Sequence, residues 1–211
     1  MKKIICYGDS NTFGYNPEQP KGFRYDENIR WTSLLQKNLG DEYEVVNEGM
    51  CDRTGFVNHP DGFMFSAPKH FPKMISQTEI FDILILALGT NDLQFQHDIS
   101  FGAIEKGLET LINVAKEKAK EIIIIPPVIL DERILKGYFS YQFDEKSIVK
   151  SRKVGRIFRQ LANVYNCKYF DINKFTTPSD ADGLHYDENS HRLIADKLAE
   201  FIKEGVNEVK G

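Results

Sequence analysis

Two segments near opposite ends of the chain carry residue types that could act together in nucleophilic catalysis. Ser10 lies in residues 8–11 (GDSN), directly after an apolar run, and His185 ends residues 182–185 (DGLH). A serine hydroxyl is a weak nucleophile near neutral pH and needs a base. Asp182 precedes the histidine by three residues, so its carboxylate can accept the Nδ1–H and leave Nε2 free as that base. The pattern predicts a serine nucleophile with a His–Asp pair.

The same residues also have purely structural interpretations. Serine and aspartate are common helix caps, so Ser10 and Asp182 could each cap a following helix and leave His185 on the surface. His191 falls on a helical face with apolar residues, which favours packing over catalysis. The segment after the first apolar run contains neither GxGxxG nor Gly-Lys-Ser/Thr, which excludes the usual nucleotide-phosphate loops.

Acyl transfer also requires hydrogen-bond donors at the position where the oxyanion develops. Gly49 ends residues 46–49 (VNEG), and its missing side chain would let a backbone N–H approach the substrate. Asn91 lies in residues 88–92 (LGTND), where its amide could supply a second donor. Asn and Asp after glycine are equally common turn residues, so these segments alone leave both interpretations open.

The elements that must position these residues are visible as an alternation of apolar patterns. Continuous apolar runs are typical of strands that are covered on both faces, and helical spacing separates the runs. This order predicts a doubly wound parallel sheet, whose sites gather at the carboxyl ends of the strands. The predicted strands cover 3–7, 43–47, 82–88, 121–125 and 168–171, and the predicted helices lie around 31–39, 104–115, 157–165 and 191–202.

Three connections are longer than an α/β fold requires, and we expect them to form pocket walls. They are residues 15–27, 50–73 and 126–145. The third contains Tyr138, Phe139, Tyr141 and Phe143, which could line a substrate pocket or pack within or between chains.

Composition limits the classes of protein to consider. The chain of 211 residues, with 41% hydrophobic and 27% charged residues, is expected to form one domain over 1–211. Its net charge of −4 argues against nucleic acid as a partner. Three cysteines without metal-ligand spacing predict free thiols and no metal site. The apolar runs are too short for a signal peptide or a membrane span, so we expect a cytoplasmic protein with no membrane partner.

Taken together, the four segments resemble the sequence blocks of the SGNH, or GDSL, hydrolases. Ser10, Gly49, Asn91 and His185 follow the first, second, third and fifth predicted strands in the family's order. The resemblance implies a three-layer α/β/α sandwich with a five-stranded parallel, flavodoxin-like sheet. It also implies a cofactor-independent serine esterase with Ser10 as nucleophile, His185 as base and Asp182 as orienting acid. The Ser10 N–H, the Gly49 N–H and the Asn91 amide would form the oxyanion hole.

Three further segments are similar to the arylesterase and acetylesterase branch of that family. They are residues 29–32 (IRWT), 47–54 (NEGMCDRT) and 86–92 (LALGTND). This likeness implies small-molecule esters with short acyl groups on aryl alcohols or carbohydrates, acyl transfer to acceptors other than water, and homo-oligomers. Asn11 replaces the leucine of the GDSL signature, and we expect it to bind substrate together with Phe13 and Trp31.

Other functions stay open at this point. A thioesterase or lysophospholipase of the same family would use the same triad on longer acyl chains. A non-catalytic α/β binding module would need a degenerate constellation, and no member of the constellation is missing. A metal-dependent deacetylase with Asp182 and His185 as ligands would need a third ligand, which the spacing does not offer.

Overall fold

A computed structural model describes residues 1–19 and 23–208 of the chain. Its centre is a parallel five-stranded sheet with the strand order β2-β1-β3-β4-β5. The strand order and the parallel pairing confirm the predicted flavodoxin-like sheet. The strands are β1 (Lys2–Gly8), β2 (Tyr43–Gly49), β3 (Phe81–Ala87), β4 (Ala119–Ile125) and β5 (Lys168–Tyr169).

Helices cover the sheet and complete the predicted three-layer α/β/α sandwich. They pack in two groups, α2 with α6 on one side and α3 and α5 with α4 on the other. Among the described residues, no helix has both the length and the apolar composition needed to span a bilayer. The helices are α1 (Ser10–Phe13), α2 (Trp31–Leu39), α3 (Ala67–Gln77), α4 (Phe101–Ala115), α5 (Glu145–Val164) and α6 (Glu188–Glu208).

The three inner strands are apolar because helices cover both of their faces. Buried isoleucines and leucines fill β1, β3 and the second half of β4. The register pairs Gly8 at the end of β1 with Gly49 on one side and with Ala87 on the other. The chain therefore leaves these three strands at one edge of the sheet, where the candidate site residues follow.

Two helices differ from the prediction. Helix α3 begins at Ala67, inside residues 50–73, which we expected to form a long loop, and it continues to Gln77. Its two prolines resemble loop sequence. Pro68 lies in the first turn, where a missing N–H costs nothing, and Phe71 and Ile75 anchor the helix in the core. Helix α5 begins at Glu145, well before the predicted start at 157. The extent of a single domain over 1–211 stays a prediction.

Candidate active site

The candidate nucleophile stands on a short turn between β1 and the first helical residues. Ser10 is the first residue of α1, and the carboxylate of Asp9 caps this turn by accepting the Asn11 N–H at 3.0 Å. Ser10 is 7% exposed. The turn therefore aims the serine side chain at the carboxyl edge of the sheet and fixes its backbone.

The segment before α6 brings a histidine and an aspartate to this serine. His185 Nε2 lies 2.9 Å from Ser10 Oγ, and His185 Nδ1 lies 2.6 Å from Asp182 Oδ2. The other carboxylate oxygen of Asp182 accepts the backbone N–H groups of Leu184 and His185, both at 2.9 Å. The chain thus folds back on itself and holds the carboxylate, the imidazole and the hydroxyl in one hydrogen-bonded line.

The electrostatics of Asp182 suit a residue that stays ionised. Burial pushes the pKa of this carboxyl up, but the hydrogen bonds from the His185 ring and from two backbone N–H groups outweigh it, so the pKa lies below its ordinary value. An ionised carboxylate at this position can orient the imidazole and would stabilise an imidazolium at His185.

Aromatic rings pack against the histidine and form the walls of a cavity. The ring centroids of Tyr15 and Phe139 lie 4.2 Å and 5.2 Å from that of His185. The cavity has a volume of about 460 Å³ and contains Ser10, His185 and Asn91 in its lining. A volume of this size is typical of a small-molecule site. Its described lining includes the rings of Tyr15, Tyr138, Phe139 and Tyr141.

Hydrogen bonds at both ends of the Asn91 amide fix its orientation. Its Nδ2 donates to the backbone carbonyl of Arg53 at 3.0 Å, and its Oδ1 accepts from Gln94 Nε2 at 3.2 Å. The amide group has a second N–H, and Asn91 lines the same cavity as Ser10. This second hydrogen is therefore available to a bound substrate.

Comparison with known proteins identifies the family of this constellation. The model of the GDSL-like lipase/acylhydrolase family matches residues 6–193. The chain belongs to this family. No curated protein matches the sequence. The solved structure of a carbohydrate acetylesterase family member from Sinorhizobium meliloti is 27% identical, with a TM-score of 0.86 over 97% of this chain and 98% of that one.

Two further structures with lower identity share the fold. An inhibitor-bound aryl esterase from M. smegmatis is 24% identical, with a TM-score of 0.89 over 97% of this chain and 99% of that one. Est24, a carbohydrate acetylesterase from Sinorhizobium meliloti, is 22% identical, with a TM-score of 0.89 over 97% of this chain and 99% of that one. The predicted GDSL hydrolase fold and the enzyme class, a carboxylic ester hydrolase, are confirmed.

The structure does not bring Gly49 into the cavity beside Ser10. Its N–H already donates to Asn47 Oδ1 at 2.9 Å, and Gly49 is absent from the described lining residues. A Cβ at this position would lie 2.1 Å from the backbone nitrogen of Phe13, so the close packing of β2 against α1 explains the glycine. Asp52, three residues later, lines the cavity instead, with a left-handed backbone at φ 61°.

The three residues that we expected to bind substrate also lie outside the cavity lining. The indole N–H of buried Trp31 donates to the Asn11 carbonyl at 3.0 Å, which places the ring in the core. The Phe13 ring lies under the guanidinium of Arg24, 4.4 Å from its Cζ. Their apolar bulk suggested a pocket wall, but Phe13 packs against Arg24 and Trp31, the first residue of α2, packs in the core.

Asn11 connects the turn that carries Ser10 to the segment that carries His185. Its side-chain Nδ2 donates to the Leu184 carbonyl at 3.4 Å, and its Oδ1 accepts the Tyr186 N–H at 3.2 Å. These two partners flank His185 in the chain. A leucine could make neither bond, which explains the asparagine at this position of the GDSL signature.

Sequence reasoning missed Arg53, which holds the loop after β2 together with Asp92. The buried guanidinium of Arg53 donates to the carbonyls of Gly8, at 2.9 Å, and of Glu48, which joins the ends of β1 and β2. Both carboxylate oxygens of Asp92 accept N–H groups of residues 55–57, at 2.6 to 3.0 Å. Burial raises the pKa of Asp92 to about 6, so the carboxylate is ionised at neutral pH. Because contacts between distant segments define these roles, no local pattern could reveal them.

Proposed function

We propose that this protein hydrolyses short-chain carboxylic esters through an acyl-enzyme on Ser10. The observation that carries the proposal is the line of hydrogen bonds from Ser10 Oγ through His185 to Asp182, with spacings of 2.9 Å and 2.6 Å, at the wall of a cavity. Nucleophile, base and orienting group at these distances are the arrangement that acyl transfer by a serine requires.

The first half of the reaction consumes the ester. Ser10 Oγ attacks the carbonyl carbon while His185 Nε2 takes the hydroxyl proton, and the carbonyl oxygen becomes an oxyanion. Asn91 offers its second amide hydrogen to this oxyanion. In the described part of the chain, the backbone N–H groups of Ser10 and Asp52 have no hydrogen-bond partner, and we assign them as the other two donors. Collapse of the intermediate expels the alcohol, which receives the proton from His185.

The second half releases the acid. A water molecule takes the place of the alcohol, and its oxygen attacks the acyl carbon while His185 Nε2 removes its proton. The bond from the acyl carbon to Ser10 Oγ then breaks, and His185 returns the proton to Ser10 Oγ. Another alcohol in the place of water would receive the acyl group, so the same site supports acyl transfer. The aromatic rings against His185 favour a small acyl group such as acetyl, which extends to this chain the substrates named for the arylesterase and acetylesterase structures.

The test is turnover of p-nitrophenyl acetate by the wild type, by Ser10→Ala and by a matched control. Ser76→Ala removes an exposed hydroxyl from α3, remote from the cavity. We expect the kcat of Ser10→Ala to be at least about 10³-fold lower than that of the wild type, since triad members act as a unit. The kcat of Ser76→Ala should equal that of the wild type. Comparable kcat values for the wild type and Ser10→Ala would reject the serine mechanism.

A further inference from the structure

One acidic side chain in the cavity has no role in the reaction described above. Of the described residues that line the cavity, Asp52 alone is acidic, and none is a lysine or an arginine. Asp52 is exposed, and its carboxylate forms no hydrogen bond or ion pair with another described residue. A carboxylate without a protein partner at the wall of a substrate cavity is available to pair with a ligand.

Two exposed aromatic rings lie on the same cavity. Tyr138 and Tyr141 are 59% and 61% exposed, and their ring centroids are 6.1 Å apart in an edge-on arrangement. Burial raises the pKa of Tyr141, and the charges of Tyr138 and Asp52 raise it further, so the Asp52 carboxylate lies near enough to the Tyr141 hydroxyl to disfavour its ionisation. The faces of tyrosine rings attract cations, most strongly where water is partly excluded.

We propose that the preferred ester has a positively charged alcohol part, such as a primary or quaternary ammonium group, held by Asp52 together with Tyr138 and Tyr141. The proposal rests on the proposed esterase function and names the substrate class of the same site. Ser10 and Asn91 line the same cavity as these three residues, so an ester bound for attack places its alcohol group in the cavity that holds the carboxylate. An anionic alcohol part would instead be repelled by the carboxylate.

The backbone conformation at Asp52 tolerates a substitution by asparagine. Its φ of 61° lies in the left-handed region, where asparagine and aspartate are the residues best tolerated after glycine. Asp52→Asn therefore removes the charge and retains the backbone and the approximate shape. A matched control is Asp41→Asn, which makes the same change of net charge at an exposed position before β2, at the opposite edge of the sheet.

The experiment compares acetylcholine with 3,3-dimethylbutyl acetate, its uncharged isostere. The measured quantity is the ratio of their kcat/KM values, which cancels any general effect of a substitution on catalysis. We expect the wild type and Asp41→Asn to prefer the cationic ester by about tenfold at low ionic strength, since a partly screened ion pair is worth that much. Asp52→Asn should lower the ratio several-fold, to the smaller preference that the two tyrosine rings provide, and added salt should lower the wild-type ratio towards the same value.

Two results would overturn the proposal and are distinguishable from failure of the proposed function. A wild-type ratio near or below one, with Ser10-dependent hydrolysis of the neutral ester, would reject the cationic subsite and leave the esterase function intact. An undiminished ratio in Asp52→Asn would reject Asp52 as its origin. If the wild type hydrolysed neither ester nor p-nitrophenyl acetate, the proposed function itself would fail and the subsite with it.

Discussion

Ser10, His185 and Asp182 work in surroundings from which the protein largely excludes water. Their exposed fractions are 7%, 2% and 3%. Electrostatic interactions are stronger in such surroundings than in water, so the ionised Asp182 stabilises an imidazolium at His185 effectively. The serine hydroxyl still faces the cavity, which gives an ester access to it. At the residue scale, reactivity therefore depends on groups that are held in place before substrate arrives.

Asn91 provides a test of the oxyanion hole. Asn91→Ala should lower kcat by about 10²–10³-fold and leave KM nearly unchanged, because loss of one oxyanion donor costs about 2.7–4 kcal/mol in the transition state. Steady-state kinetics with p-nitrophenyl acetate measure both constants. A raised KM at constant kcat would instead show that Asn91 binds the ground state.

Asn11 provides a test of how the base is positioned. Asn11→Leu leaves the Leu184 carbonyl and the Tyr186 N–H without partners, and each unsatisfied buried group costs about 1–3 kcal/mol. We expect a lower free energy of unfolding and at least a tenfold lower kcat, since His185 stands between the two freed groups. Urea unfolding and ester turnover measure these effects.

The matched control for this substitution is Asn163→Leu on the exposed face of α5. This variant should have the free energy of unfolding and the kcat of the wild type. Equal kcat values for Asn11→Leu and the wild type would show that Asn11 does not position the base.

At the element scale, a side chain from α6 supplies the cap that α2 lacks in its own sequence. Arg30 at the N-cap of α2 makes no capping hydrogen bond, and the first N–H of the helix, that of Trp31, donates to His191 Nδ1 at 3.2 Å. The imidazole must be neutral at Nδ1 to accept this bond. Burial lowers the pKa of His191 to about 3, so the folded protein keeps it neutral.

This arrangement predicts a loss of stability in mild acid. The unfolded chain takes up a proton at His191 below pH ~6.5, whereas the folded chain does so only near pH 3. The unfolded state therefore binds more protons in this window, and stability falls as pH falls, by about 2 kcal/mol between pH 6.5 and pH 5 from this group. Urea unfolding at the two pH values measures the change.

A variant that cannot titrate isolates the contribution of His191. His191→Gln retains an acceptor for the Trp31 N–H. Between pH 6.5 and pH 5, the free energy of unfolding of this variant should fall by about 2 kcal/mol less than that of the wild type. An unchanged pH dependence in this variant would show that other groups cause the loss.

The elements differ in how far sequence could predict them. The inner strands were predictable because a strand covered on both faces must be continuously apolar. The proximity of Ser10 to His185 was predictable because both residues follow strands of one parallel sheet. The position of Gly49 outside the cavity was not predictable. Gly49 has the residue type that suits a close approach, but that approach is to α1, and the chain needs three more residues to reach the cavity at Asp52. Loop geometry of this kind depends on partners such as Arg53, which sequence spacing does not reveal.

At the scale of the whole molecule, the parallel sheet brings the two ends of the chain together. Ser10 and His185 are 175 positions apart in sequence, yet both lie at the carboxyl edge of the strands. The long connection after β4 adds Tyr138, Phe139 and Tyr141 to the same edge and so forms a wall of the cavity. The proposed site is therefore formed by the carboxyl edge of the sheet together with the loops that follow its strands. Association into homo-oligomers stays a prediction, which sedimentation equilibrium would test.

The wall of the cavity predicts a preference for short acyl groups. The rings of Tyr15 and Phe139 pack against His185 and leave little room for a long acyl chain. Each methylene forced into a packed wall costs about 1–3 kcal/mol, whereas a methylene buried in an open groove gains about 0.8 kcal/mol. We expect kcat/KM for p-nitrophenyl esters of two to ten carbons to decline beyond about four. A maximum at eight carbons or more would instead indicate a thioesterase or lysophospholipase specificity.

The central claim is that Ser10 is the nucleophile, and covalent labelling tests it most directly. A fluorophosphonate probe reacts with an activated serine, and mass spectrometry of the digested protein locates the adduct. The account predicts stoichiometric labelling on Ser10, strongly slowed in His185→Ala, together with loss of ester turnover in proportion to the label. Turnover that continues in fully labelled protein, or an adduct on a different residue, would contradict it.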